Sequence, residues 1–321
     1  MNKLSIVIPV YNNEQNLGPL YADIKEKIID TAEFEYEIVM VDDGSQDRSW
    51  QMICELAKED PHVKGIHLSR NFGSHAASLC GLSHSTGDCV VTKAADLQEP
   101  TEIILDMYQK WLHGVNVVLA IRKDREDKSP FSELYYWLTR RLALPNMPQH
   151  GFDAFLMDRK VVHVLEELDE KNSALTGQVL WSGFETASVY YTRKRREIGK
   201  SQWTLRKKIR LFTDTFFSFS TVPITAIMWI GFLSCIGSAF WAFITLIAKL
   251  TAGIPVQGFT TLFIFQLFSF GVIMLTLGVL GNYIWRTFDA SRKRPVYIIE
   301  DIVTSAETAI ESVRYEQNRN G

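Results

Sequence analysis

Polar side chains that could bind a ligand follow three short apolar runs near the start of the chain. The polar stretches read PVYNNEQN (residues 9–16), VDDGSQD (41–47) and AADLQEP (94–100). Asp42 and Asp43 could accept hydrogen bonds from the ring N–H of a base or from ribose hydroxyls. Gly44-Ser45 could form the tight turn that brings the backbone close to a ligand. One Asp-Gly-Ser turn is also typical of an ordinary loop, so it is the three turns together that indicate a nucleotide site.

The third polar stretch contains half of a familiar metal motif. Asp96 and Gln98 offer a carboxylate and an amide oxygen, the ligand type that Mg²⁺ and Mn²⁺ prefer. The acid two residues earlier that would complete an Asp-x-Asp pair is Ala94 instead. These residues leave two interpretations open: a metal site that has lost half its ligands, or one that never needed the first carboxylate.

Strand and helix signals alternate around these stretches. Apolar runs predict strands over residues 4–10, 37–41, 63–68, 89–92 and 115–121, and amphipathic segments predict helices over 14–29, 47–57, 73–84 and 101–113. This alternation predicts an α/β fold with a mostly parallel sheet covered on both faces. Ligands bind such sheets beyond the carboxyl ends of the strands, which is where the three polar stretches lie.

Two long uncharged segments follow, over residues 222–248 and 258–285. Each exceeds the roughly 20 apolar residues that cross a bilayer as a helix, although a buried helix of a soluble protein is the alternative. Nine Lys and Arg residues lie between 193 and 210 and four between 286 and 294, so the positive-inside rule places both termini in the cytoplasm. We therefore predict a cytoplasmic domain (1–220), a transmembrane hairpin (221–287) and a cytoplasmic tail (288–321). Met1 leads directly into a strand-like run, and we expect no signal peptide.

Charge and cysteine content exclude little by themselves. The net charge of −3 conceals the segregation of basic residues beside the apolar segments, and we expect a lipid bilayer but no nucleic acid as a partner. The four cysteines form no C-x-x-C pair, which indicates free thiols rather than a metal or redox site. A pore is disfavoured because neither apolar segment carries an ionisable residue.

Six sequence motifs occur in a fixed order before the two apolar segments, and this order is typical of a known enzyme family. The motifs are IVIPVYNNEQNL, VDDGSQDRS, RNFGSHAA, AADLQEP, GFDAFLMDRKVV and RKRREIGKSQW. Together they resemble family 2 glycosyltransferases of the polyprenyl-phosphate branch, over residues 4 to about 294. The resemblance implies a GT-A fold and inverting transfer of one sugar from a nucleotide-diphosphate sugar, with a UDP-sugar favoured, to undecaprenyl phosphate. It also implies a multi-pass protein of the inner membrane and a homo-oligomer, for which tetrameric relatives are the example.

The resemblance also assigns roles to residues. It places Pro9, Tyr11, Glu14, Asp42 and Asp43 at the nucleoside. Asp96 and Gln98 would hold Mg²⁺ or Mn²⁺ together with the donor diphosphate, and Asp153 would lie near the reacting sugar as an orienting group or a base. Arg196 and Ser201 would clamp the lipid phosphate, and Arg70 opens a turn whose helix start could receive an anion. The chain departs from the family pattern at Ala94, Phe155 and Gln202.

The sequence also allows two alternative functions. A processive polysaccharide synthase would carry a Gln-x-x-Arg-Trp motif, which the sequence lacks. A non-catalytic membrane scaffold is favoured by the departures at Ala94 and Phe155. Amphipathic segments over 131–142 and 205–216 could lie in the headgroup plane, although core packing explains the first equally well.

Overall fold

The computed structural model describes residues 1–31, 34–123, 130–168, 170, 173–193, 205–252 and 258–304. The chain forms two compact units. The first contains Met1–Phe212 and the chain from Pro295 onward, and the second contains Thr213–Arg294. The first unit therefore includes residues on both sides of the apolar segments.

The first unit contains a sheet built from eight strands of the described residues. In chain order the strands are β1 (Lys3–Val10), β2 (Glu35–Asp42), β3 (Val63–Leu68), β4 (Cys89–Thr92), β5 (Val117–Arg122), β6 (Ala154–Asp158), β7 (Thr186–Tyr191) and β8 (Ile299–Val303). The helices are α1 (Glu14–Ile24, continued by a π-helical turn, Lys25–Ile29), α2 (Ser49–Glu59), α3 (Ser74–Ser83), α4 (Ile103–Leu112), α5 (Pro130–Leu142), α6 (Arg159–Glu167), α7 (Leu175–Trp181), α8 (Leu205–Phe219), α9 (Val222–Ala252) and α10 (Phe259–Ser291).

The strand order is β7-β5-β6-β4-β1-β2-β3-β8. Strands β4, β1, β2 and β3 are parallel, as are β5 and β7, while β6 and β8 run antiparallel to their neighbours. The predicted mostly parallel α/β sheet is confirmed, with its five predicted strands close to their predicted bounds. β6, β7 and β8 were not predicted. β8 lies at the start of a polar tail, yet Ile302 and Val303 pair with β3 and so cover an edge that would otherwise expose unpaired backbone groups.

The central strand β1 shows why the sequence folds this way. Leu4, Ile6, Val7 and Ile8 are all fully buried, as a continuous apolar run requires in a strand covered on both faces. Burying each such side chain contributes about 1.5–3 kcal/mol. These residues anchor the sheet from which the site projects.

β1 extends beyond the end of β4, and this difference in length leaves a crevice beside β1. β1 pairs with β2 as far as Val10, but its pairing with β4 stops at Val7. The carbonyl of Val7 accepts from Lys93 N, whereas that of Val10 accepts from Asp43 N, so Pro9 faces the β4 side beyond the end of β4. Proline is tolerated in this central strand because its missing N–H breaks no hydrogen bond to β4 there. From β1 the chain moves along the sheet to β2, whereas from β4 it moves in the other direction towards β5, and such a reversal of strand order is the switch point at which these sheets bind ligands.

Glu37, near the amino end of β2, carries a prediction about stability. Burial raises the pKa of Glu37, but hydrogen bonds from Ser5, Thr86 and Lys3 outweigh it and lower the pKa to about 2, from an ordinary value of 4.5. The folded pKa lies below the unfolded one, so the stabilisation is present above pH 4.5 and is lost as the pH falls towards 2. Glu37→Gln should lower the free energy of unfolding at pH 7 by about 2–3 kcal/mol.

Urea denaturation of the full chain in detergent, followed by tryptophan fluorescence, measures this. The difference in the free energy of unfolding between Glu37→Gln and the parent protein should become smaller as the pH falls from 7 to 3. Equal urea midpoints at pH 7 would show that the charge on Glu37 contributes nothing.

Candidate active site

Predicted site residues from distant parts of the chain meet at one edge of the sheet. The carboxyl ends of β1, β2, β4, β5 and β7 lie there, and so does the amino end of β6, because β6 runs antiparallel. The polar groups at this edge are Tyr11, Glu14, Asp42, Asp43, Asp96, Gln98, Arg122, Asp153 and Arg193.

The two acids at the end of β2, Asp42 and Asp43, are both buried in the protein. Asp42 is fully buried, with Oδ2 2.6 Å from His67 Nδ1 and also accepting from Ser45 N. This bond raises the pKa of His67, whose ring stacks on Trp50. Within the described residues, Asp42 Oδ1 has no hydrogen-bond partner. Asp42 thus organises the turn from beneath, and its predicted contact with a nucleoside stays a prediction.

Asp43 connects two of the polar loops. Its carboxylate accepts from the backbone N–H groups of Phe72 and Gly73, at 2.7 and 2.9 Å, immediately before α3. Burial raises the pKa of Asp43. Gly44 has a φ of +66°, and a Cβ there would lie 2.5 Å from the carbonyl carbon of Arg70, so only glycine fits. Asp43 therefore fixes the RNFG turn beside the site.

The loops after β1 and β2 also hold each other. Asn12 N donates to Ser45 Oγ, and Asn12 Oδ1 accepts from Gln46 N. Glu14 accepts from Arg48 N at 2.9 Å. Pro9, Tyr11 and Glu14 are half-buried on the rim of the crevice, where they are placed to line a nucleoside. Their role as ligands stays a prediction.

Arg70 projects away from these contacts. Its side chain is exposed, and the guanidinium lies 4.1 Å from the centre of the Phe72 ring. Arg196 and Ser201, which are assigned with it to the lipid phosphate, lie outside the described residues.

Asp96 and Gln98 both lie against the guanidinium of Arg193. Asp96 Oδ1 accepts from Gln98 N at 3.2 Å, and Leu97 between them has a φ of +56°, so the turn holds both side chains on the same side. Arg193, just after β7, places Nη2 in contact with Gln98 Oε1 and 3.8 Å from Asp96 Oδ2. A hard divalent cation fits this pair of oxygen ligands. No group of three or more His, Cys, Asp or Glu side chains suited to a metal occurs in the described part of the chain, so phosphates and water would have to complete the shell.

Lys93 and Glu99 close the loop that carries Asp96. Both are buried, and Lys93 Nζ donates to the carbonyl of Glu99 at 3.0 Å. Burial raises the pKa of Glu99 to about 7, against the lowering effect of Lys93. The pair fixes the span of the loop from Ala94 to Gln98.

Asp153 is the centre of a second cluster. Arg122, the last residue of β5, donates from Nε and Nη2 to both carboxylate oxygens, and the hydroxyl of Tyr191 donates to Oδ2. Burial raises the pKa of Tyr191, and Asp153 raises it further, so the phenol stays protonated at neutral pH. Such a two-point pair holds a carboxylate in one orientation.

The rest of the GFDAFLMDR element is structural. Phe155 is buried with its ring 5.9 Å from that of Phe152, so an apolar residue suits the position. Asp158 caps α6 by accepting from Lys160 N and also accepts from Trp111 Nε1. Arg159, which follows β6, donates to the carbonyl of Gly87, which precedes β4, and so links the end of β6 to the start of β4.

A mostly parallel sheet of this order, with acidic turns at its carboxyl edge, defines a GT-A-type glycosyltransferase domain. The family model Glycosyl transferase family 2 matches residues 5–225. An uncharacterized glycosyltransferase of Bacillus subtilis (strain 168) is 37% identical over 300 residues, covering 92% of this chain and 93% of the relative. A bactoprenol glucosyl transferase of Shigella phage SfV is 36% identical, covering 93% of this chain and 98% of the relative. Among solved structures, mannosyl-3-phosphoglycerate synthase from Rubrobacter xylanophilus aligns with a TM-score of 0.47 at 18% identity, over 66% of this chain and 71% of that one.

The chain belongs to glycosyltransferase family 2 and is an enzyme of that class. Members of this family commonly use a divalent metal. In the second unit, the apolar stretches Val222–Thr245 of α9 and Phe265–Ser291 of α10 are long and apolar enough to cross a membrane.

Proposed function

We propose that this enzyme transfers one sugar from a nucleotide-diphosphate sugar to a polyprenyl phosphate and so forms a lipid-linked sugar. The observation that carries the proposal is the paired arrangement at the crevice. An oxygen pair suited to a metal–diphosphate follows β4, and a fixed Asp153–Arg122 pair lies at the neighbouring ends of β5 and β6. Bactoprenol glucosyl transferases that match over more than nine-tenths of both chains support the acceptor class.

The donor would lie across the crevice between β1 and β4. The loops carrying Tyr11 and Glu14 would line the nucleoside, with Asp42 and Asp43 setting their shape from below. Asp96 and Gln98 would hold Mg²⁺ or Mn²⁺, which when bound supplies charge neutralisation for the departing nucleoside diphosphate. Two protein ligands would be enough for this cation, because a cation held largely by substrate phosphates needs few protein ligands.

The acceptor needs little activation. A phosphate monoester has a second pKa of about 6, so its attacking oxygen is already largely anionic at pH 7. Attack at the anomeric carbon opposite the leaving diphosphate inverts its configuration. Asp153, held by Arg122 and Tyr191, would orient the sugar or the acceptor, so that most of the rate comes from positioning. Arg70, Arg196 and Ser201 stay our candidates for contacts with the lipid phosphate.

We also propose the membrane arrangement. α9 and α10 would form a hairpin in the cytoplasmic membrane of a bacterium, with the sheet and both termini in the cytoplasm and oligomeric assembly as in relatives. Within the second unit, Arg286 near the end of α10 bonds Asp214, Ser218 and Asn282 at 2.8–2.9 Å. This network fastens the end of α8 to α10, just beyond the uncharged part of the helix.

A donor panel tests the function. Purified full chain in detergent, with undecaprenyl phosphate and Mg²⁺ or Mn²⁺, is offered UDP-glucose, UDP-N-acetylglucosamine and other nucleotide-sugars. Mass spectrometry of the lipid should show one added hexose from one donor, and we expect UDP-glucose because the named relatives are glucosyl transferases. Several sugars on one lipid would indicate a processive synthase. Nucleotide binding without turnover of any donor would favour the scaffold alternative.

A further inference from the structure

The position of Arg193 has a consequence for metal binding. Its Nη2 contacts Gln98 Oε1 and lies 3.8 Å from Asp96 Oδ2. Because Asp96 Oδ1 accepts from Gln98 N, the turn directs the other carboxylate oxygen and the amide oxygen towards the same place. Arg193 Nη2 therefore lies at the point at which the two proposed metal ligands converge.

A guanidinium and a divalent cation cannot share this position. Mg²⁺ binds its oxygen ligands at about 2.0–2.1 Å, whereas an N–H···O hydrogen bond needs about 2.9 Å between the same oxygen and the nitrogen. The two positive groups would also repel each other at this separation. Occupation by either one excludes the other.

The way in which Arg193 is held suits a group that leaves. Its Nε is buried and has no hydrogen-bond partner among the described residues, so this pose leaves a donor unsatisfied. One third of the side chain is already exposed, whereas Asp96 is only 17% exposed. Moving the guanidinium outward would hydrate Nε and open the oxygens to a cation.

We propose that Arg193 is a resident cation of the donor site, which occupies the metal position between Asp96 and Gln98 until the metal and donor displace it. The inference rests on the proposed function, since it takes these two residues as the metal ligands. Arg193 also opens the basic run of residues 193–196 and lies two residues after Tyr191, which contacts Asp153. Displacement would therefore release a guanidinium beside the reacting groups only once the donor is loaded.

Binding of Mn²⁺ in the presence of UDP tests this without any turnover. Full chain in detergent with a fixed, saturating concentration of UDP is titrated with Mn²⁺, and free Mn²⁺ is measured by electron paramagnetic resonance. Arg193→Met removes the charge and keeps the length, so the dissociation constant for Mn²⁺ should tighten by about tenfold, or about 1.4 kcal/mol. Lys110→Met, on the exposed face of α4, makes the same change in net charge and should leave the affinity unchanged.

Arg193→Lys provides a second variant that keeps the charge. Its compact ammonium can still occupy the oxygen pair, so its Mn²⁺ affinity should stay within about threefold of the parent protein. Thermal melts confirm that each variant is folded. Equal or weaker Mn²⁺ binding by folded Arg193→Met would overturn the inference and leave the metal site intact. Absence of Mn²⁺ binding in every variant, including the parent, would overturn both the inference and the metal part of the proposed function.

Discussion

Replacing Asp96 with asparagine should lower kcat/KM for sugar transfer by about three orders of magnitude, because Asp96 belongs to no cluster of three acidic, His or Cys ligands in the described part of the chain that could take over. The asparagine keeps the size of the side chain and can still accept from Gln98 N, so the turn should survive. What is lost is the negative charge that holds a cation against the donor diphosphate. The same variant should weaken Mn²⁺ binding measured in the presence of UDP.

Asp106→Asn is the matched control. Asp106 is an exposed acid on α4, and its amide variant changes the net charge equally without touching the crevice. It should retain full activity. If Asp96→Asn kept more than a tenth of the activity, the metal would have to be held by other groups or not be needed, and Ala94 would then be one of two dispensable positions.

Asp153→Asn should lower kcat by about 10²–10³-fold and change KM for the donor little, since orientation of the reacting groups is lost rather than donor binding. The carboxylate accepts two bonds from Arg122 and one from Tyr191. An asparagine has one acceptor oxygen, so it cannot satisfy the guanidinium fork, and Arg122 is free to turn away.

The pH profile separates two roles for Asp153. If Asp153 were a general base, its variant would change the shape of the profile as well as its height. If it positions Arg122 and the acceptor, the profile should keep its shape at a lower level, governed by ionisation of the acceptor phosphate at about pH 6. We expect the second result. Tyr191→Phe removes one hydrogen bond and should lower kcat by only about 3–10-fold. A loss of kcat as large as that of Asp153→Asn would contradict a supporting role for Tyr191.

The sequence predicts this site unevenly, and the reason is physical. Asp96 and Gln98 follow an apolar run, so strand periodicity alone places them at the edge of the sheet. Arg122 and Arg193 could not be found that way, because their partners are 31 and 95–97 residues distant and only the sheet order brings them together. The family resemblance pointed to Asp153 but not to the side chains that hold it.

Asp42 shows which contacts strand periodicity cannot predict. It ends β2 at the predicted edge, but its partner in the register of β3 is His67, which draws the carboxylate inward. A histidine at the end of the neighbouring predicted strand was the available signal. β8 was missed for a different reason. It is a five-residue edge strand with two acids, so its alternation of apolar and polar residues is too short to distinguish it from a polar tail.

If the proposed membrane arrangement holds, β8 restricts how the chain can cross the bilayer. The strand follows α10 in the sequence yet pairs with β3, so the chain returns to the sheet that it left before α9. A strand cannot pair with a partner across a bilayer, and the number of crossings between the two must therefore be even. Two helices satisfy this parity and one would not. The pairing of four residues near the carboxyl end thus constrains membrane topology independently of the charges that flank the helices.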